Sequence, residues 1–146
     1  QTDLYRKFID NGADFVAGAH PHVVQNSEVY KDKLILYSMG NFIFVQRFSD
    51  DVQESIALDV EVDIPKESLI DFEKLISIAD NCQPKIQKDT CLAKVADLKK
   101  IAYGLKFDII PGEQKNFVNS KSTNQAVIDK LLGRANWQAT KAALEE

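Results

Sequence analysis

Within its first 37 residues the chain changes hydrophobic period from helical to strand-like, and that switch restricts what it can build. Leu4, Tyr5, Phe8 and Ile9 fall on one face of a helix that Thr2 or Asp3 can cap and Asn11-Gly12 can stop. Asp14–Ala17 then reads as a short buried strand, and Ser27–Tyr30 and Leu34–Tyr37, joined by Lys31-Asp32-Lys33, read as a hairpin. A helix delivered into strands in this order predicts a layered α/β (α+β) domain, the helix covering one face of the sheet.

Further along, Ile56, Leu58, Val60, Val62 and Ile64 alternate with Ser55, Asp59, Glu61 and Asp63, which predicts a half-buried antiparallel strand over Glu54–Ile64, ended by Pro65. Residues 46–53 are polar and predict an exposed loop, with Arg47 as a candidate anion contact. That strand needs a partner. Phe72, Lys74, Ile76 and Ile78 alternate suitably, so 70–79 is read as strand, although Ser68-x-x-Asp71 also resembles a helix capping box. Asn81–Lys88, with Pro84 as breaker, is read as loop, and a helix from Thr90 to near Gly104 carries Leu92, Val95, Leu98, Ile101 and Ala102. Phe107–Ile110 is a short apolar run stopped by Pro111-Gly112, 113–122 a polar loop, and Ala126–Leu132 and Asn136–Leu144 two helices with Trp137 turned inward. The expected division is therefore 1–110 as an α/β part and 111–146 as a helical tail packing on it or on a partner.

The chain's two histidines, His20 and His22, stand one residue apart across Pro21. Proline fixes its own φ and pushes the preceding residue toward extended conformations, in which residues i and i+2 point to one side. Both imidazoles would then face one pocket, separated by roughly 6–7 Å, a spacing suited to two metal ions about 3.5–4 Å apart. They leave the carboxyl end of the first strand, where open α/β sheets place their sites. Ser38-Met39-Gly40-Asn41 breaks the pattern before Phe42-Ile43-Phe44. It reads as a turn in which Gly40 or Asn41 takes positive φ.

Gly18-Ala19-His20-Pro21-His22-Val23-Val24-Gln25, with Glu28, Tyr30 and the run Leu34 to Phe44, resembles the C-terminal core of the CapA, or poly-γ-glutamate capsule-biosynthesis, family over about residues 2–64. That family is similar to calcineurin-like metallophosphoesterases. The resemblance implies a layered αββα sandwich, of which 1–110 would be the C-terminal portion. It also implies divalent metal ions held in part by His20 and His22, and Asn41 beside them orienting a phosphate or a ligand. Ala19 stands where the family usually has histidine or a similar residue. The superfamily's other metal ligands come from an Asp-x-His segment, a further Asp and an Asn-His pair, and with two histidines in all the chain cannot supply those histidine-containing motifs. It is expected to carry part of a site completed by N-terminal segments or a second copy, to be inactive alone, and to come from a protein of the bacterial cell envelope anchored upstream of Gln1. The other reading is a non-catalytic binding or assembly domain that self-associates into a homo-oligomer through an exposed sheet edge. Both stand at this point.

Composition narrows the partners. A net charge of −4 and pI near 5.2 argue against a nucleic-acid surface. Lys85, Lys88, Lys94, Lys99 and Lys100, interrupted by Asp89 and Asp97, read as a solvated face. No apolar run is long enough to span a bilayer. Cys82 and Cys91 allow one bridge but are read as two reduced cysteines without a catalytic role.

Overall fold

A computed structural model describes the chain except residues 45, 83, 97, 99, 100, 116 and 117, together with the side chains of 84–88, 92 and 115. Two compact units are present, one of residues 1–59 with 107–146 and one of residues 60–106. These boundaries differ from the expected division after residue 110.

The first unit is layered. Helix α1 (Thr2–Asp10) ends at Asn11, and Gly12 takes the left-handed φ of 100° that turns the chain toward the sheet. Strands β1 (Val16–Ala17), β2 (Ser27–Tyr30) and β3 (Lys33–Leu36) form a sheet in the order β1-β3-β2, with β1 parallel and β2 antiparallel to β3. The expected hairpin is therefore present, closed by Lys31 and Asp32 at positive φ. The first strand is shorter than Asp14–Ala17 and lies half-buried to exposed rather than buried.

Strand β3 is central, and its two faces serve two cores. Leu34 and Leu36 pack with Val24, Ile56, Ile109, Leu131, Ala135 and Trp137, while Ile35 and Tyr37 pack with Ile9 of α1. Helices α4 (Gln125–Arg134) and α5 (Trp137–Leu144) thus cover one face and α1 the other. Ser27 binds the α4–α5 junction, its amide and hydroxyl both donating to the Ala135 carbonyl. Gly18 continues the β1 ladder, donating to Leu36 and accepting from Met39. A Cβ there would come 2.3 Å from the Tyr5 hydroxyl and 2.5 Å from the Tyr37 carbonyl, so only glycine lets helix and sheet close at this point.

A second sheet has the order β4-β5-β6, from β4 (Glu54–Asp63), β5 (Gly104–Lys115) and β6 (Val118–Lys121). In the first unit Gln114 N–H donates to the Gln53 carbonyl and Gly112 lies against Ser55, so β4 and β5 run antiparallel. The partner that β4 requires is therefore β5, not 70–79. Pro111 does not stop β5: a proline withholds only its own N–H, and the Pro111 carbonyl still accepts from Ser122. The expected polar loop over 113–122 is instead the β5–β6 hairpin, with Gly112 opposite Lys121. The inward face of β4 holds at Ile56, 2% exposed, and fades to Val62, 49% exposed. The expected exposed loop over 46–53 contains a turn of 3₁₀ helix, Asp50–Val52, that buries Val52.

In the second unit, α2 (Lys66–Asp80) replaces the expected strand over 70–79. Helix α3 (Pro84–Ala96) begins inside the expected loop, because proline suits a first helical position, and ends before Ile101 and Ala102. The Ser68 hydroxyl does not cap α2; it accepts from Ala102 N–H. Cys82 and Cys91 are joined in a disulfide with Cα atoms 5.8 Å apart, which corrects the reading of two reduced cysteines. Lys94 and Asp89 are exposed, while Lys99, Lys100, Asp97 and the side chains of Lys85, Lys88 and Leu92 lie outside the described residues. No helix among the described residues is long and apolar enough to cross a membrane.

Candidate functional site

The histidine loop leaves the carboxyl end of β1, but not in the extended form expected of it. His22 N–H donates to the Ala19 carbonyl at 3.0 Å, closing a tight turn, and His22 takes a φ of 63°. A non-glycine residue in the left-handed region is uncommon and costs of order 1 kcal/mol or more, so surrounding contacts must hold it. The turn still brings the imidazoles together, with ring centroids 6.1 Å apart. His20 is exposed; His22 is half-buried, its ring stacked on Phe44 at 5.0 Å.

Asn41 supplies the decisive contact. Gly40, with φ 76°, is the turn residue at positive φ, and it sets Asn41 down buried, 6% exposed. The Asn41 amide donates from Nδ2 to the Val52 carbonyl at 3.0 Å and to Gln46 Oε1 at 3.2 Å, while Oδ1 lies 2.6 Å from His22 Nδ1. A carbonyl cannot donate, so Val52 fixes which end of the amide faces it, and Oδ1 is left to face the histidine. In the neutral ring the His22 proton then sits on Nδ1, and Nε2 keeps its lone pair. Metal-binding histidines are held in this way, one ring nitrogen donating to a carbonyl and the other left to coordinate.

Sequence reasoning names His20, His22 and Asn41, and the structure brings all three together. It does not reveal the residues behind Asn41. Asp51 and Glu54 flank Val52 and are met by Arg134 and Lys130 of α4, some 76 to 83 positions away in the chain. Arg47 is exposed. Among the described residues no three His, Cys, Asp or Glu side chains gather as a metal-binding group. The donor chemistry present is two imidazoles, which fits a share of the three or four protein ligands of a hydrolytic metal site.

Residues 1–46 match the family described as "Bacterial capsule synthesis protein PGA_cap". Over 46 residues, 32% of this chain, it is 50% identical to "Capsule biosynthesis protein CapA" of Bacillus anthracis, covering 11% of that protein. It is 50% identical over 46 residues to "PGA biosynthesis protein CapA" of Bacillus subtilis (strain 168), covering 12% of it. It is also 35% identical over 77 residues, 53% of the chain, to "Uncharacterized protein y4sH" of Sinorhizobium fredii (strain NBRC 101917 / NGR234), covering 16% of that protein. The matched stretches therefore span 11 to 16% of the length of these relatives. No solved structure matches. The segment 1–46, which carries the histidine turn and Asn41, matches the bacterial capsule synthesis family, and a 46-residue stretch of the chain is similar to CapA proteins.

Proposed function

We propose that this chain is a portion of a CapA-like protein of capsule or poly-γ-glutamate biosynthesis, in which His20 and His22 supply imidazole ligands to a metallophosphoesterase-like hydrolytic site completed by other segments. One observation carries the reading: the hydrogen bond between His22 and Asn41, which in the neutral ring places the proton on Nδ1 and leaves the Nε2 lone pair for a metal, beside the His20 ring. Bound divalent ions would supply an activated water and neutralise charge on a phosphoryl group. The chain's own residues do the positioning. Asn41 sets the proton on Nδ1, Phe44 limits rotation of the His22 ring, and the Ala19–His22 turn keeps both imidazoles at one mouth. Helices on both faces of the β1-β3-β2 sheet agree with a layered domain of the metallophosphoesterase kind. The disulfide agrees with folding in an oxidising compartment, as an envelope protein would.

The test is zinc or manganese titration of the chain and of the His20→Ala and His22→Ala variants. It is paired with phosphomonoesterase and phosphodiesterase turnover in a longer protein carrying both histidines. Weak uptake by the chain, lost in either variant, and turnover by the longer protein that the double variant abolishes are expected. A longer protein with both histidines that takes up no metal and turns over neither substrate overturns the reading.

A second reading, assembly, rests on β1. It is a two-residue strand at the edge of its sheet, with Leu4 and Phe8 of α1 53% and 48% exposed nearby in sequence. A second copy or the remainder of the domain would cover that edge. Light scattering that shows a monomer at high concentration sinks the homo-oligomer.

A further inference from the structure

The Asn41 amide is held by two acceptors, Gln46 Oε1 at the end of a flexible side chain and the backbone carbonyl of Val52. Val52 presents that carbonyl from the 3₁₀ turn, with Asp51 and Glu54 on either side. Both carboxylates are gripped by α4, on which Lys130 and Arg134 share a face four residues apart. Arg134 Nη2 lies 2.7 Å from Asp51, and Lys130 lies 3.6 Å from it. Lys130 Nζ also sits 2.5 Å from the Glu54 carboxylate, donating to Oε1 and neutralising Oε2, which is buried without a hydrogen bond of its own. Glu54 is 6% exposed, and a buried carboxylate is strongly held to the cation that pairs it.

We propose that Lys130 and Arg134 are positioning residues for His22: by pinning Asp51 and Glu54 they hold the Val52 carbonyl, which orients Asn41, which keeps the His22 proton on Nδ1. A neutral imidazole in water favours its proton on Nε2, so releasing the clamp lets His22 drift to that form and withdraws the lone pair. The value of this arrangement to metal binding rests on the reading above, but the position of the proton does not.

The experiment is nitrogen-15 NMR of histidine-labelled chain, at a pH where both rings are neutral, for the parent, Lys130→Met/Arg134→Met, and the conservative Lys130→Arg/Arg134→Lys. The parent is expected to show His22 protonated on Nδ1. The methionine variant is expected to lose the Nδ1–H signal and gain one on Nε2, the conservative variant to restore the parent pattern, and His20 to stay constant throughout. A parent with His22 already protonated on Nε2, or a folded methionine variant with Nδ1 still fully protonated, overturns the proposal. Should the methionine variant not fold, Arg134→Gln, which leaves the Lys130 and Glu54 pair intact, is read by the same two outcomes. Zinc titration of the same samples is the separate arm: the proton moving as described supports this proposal whether or not the chain takes up zinc, and the metal reading is decided by the longer protein.

Discussion

Arg6 and Glu28 meet in a two-pronged ion pair, Nε to Oε1 at 2.9 Å and Nη2 to Oε2 at 2.8 Å, that ties α1 to β2. Tyr37 adds its hydroxyl to Glu28 Oε1 at 2.8 Å. The Arg6 guanidinium holds the Glu28 carboxyl below the usual carboxylate range, and the Tyr37 hydroxyl bond adds to this against the opposing effect of burial. A group whose folded pKa is depressed contributes stability above its unfolded pKa, near 4.3 for glutamate, and loses it as pH falls through the folded value. Urea midpoints of the parent and of Glu28→Gln should therefore differ at pH 7 and converge as the pH drops below about 4. A gap that stays constant down the acid range would show that the pair contributes nothing as an ion pair.

How far the sequence discloses this fold depends on whether a pattern has one interpretation. The β2–β3 hairpin and α1 read correctly because turn residues, Lys31-Asp32 and Asn11-Gly12, bound segments of unambiguous period. Helix α2 is not legible because Phe72, Ile76 and Ile78 also fit a strand period, while Leu69, Ile70 and Ile76, 44%, 66% and 46% exposed, give no clean buried stripe. The strand expected over 70–79 and the stop expected at Pro111 are coupled: a proline taken as a stop conceals β5, and β4 then lacks its true partner. At the site, His20, His22 and Asn41 are visible as residue types. The left-handed turn at His22 and the grip of α4 on Asp51 and Glu54 are not, because both follow from tertiary packing between distant segments.

Gly40 should resist substitution more than its position in a loop suggests. Its φ of 76° disfavours any side chain, and a Cβ would stand 2.7 Å from the Glu54 carbonyl oxygen, a backbone atom held in the Gly40 and Ser55 bridge. Gly40→Ala is expected to cost about 2–4 kcal/mol, from left-handed strain and overpacking together. It should also disturb the His22 nitrogen signals, since Asn41 is the next residue. A denaturation midpoint within experimental error of the parent would refute this.

Trp137, the single tryptophan, is 3% exposed and donates its indole N–H to Asp108 Oδ1 at 3.1 Å, while Lys141 meets Oδ2 at 3.0 Å. Asp108→Ala removes the acceptor and leaves a buried donor unpaired, a loss of about 1–3 kcal/mol. Tryptophan emission reports this site alone. The unfolding midpoint followed by fluorescence should fall, with native emission still that of a buried indole; a red-shifted native spectrum would instead mean that the α5 packing itself depends on Asp108.

The Cys82–Cys91 disulfide joins the second residue past α2 to the body of α3, across a sequence separation of 9. Among the described residues of the second unit apolar burial is slight: Leu69, Ile70, Ile76 and Val95 are 44%, 66%, 46% and 37% exposed. Helices with so little buried surface depend on whatever restricts their unfolded forms. Closing a loop of this length is worth about 2–3 kcal/mol in the chain-entropy view. Reduction, or Cys82→Ser/Cys91→Ser, should therefore speed amide exchange across α2 and α3. Amides of β3, whose Leu34, Ile35 and Leu36 are fully buried in the first unit, should keep their protection. Equal acceleration in β3 would mean that the two units unfold as one, and unchanged exchange in α2 and α3 would mean that the helices hold without the bridge.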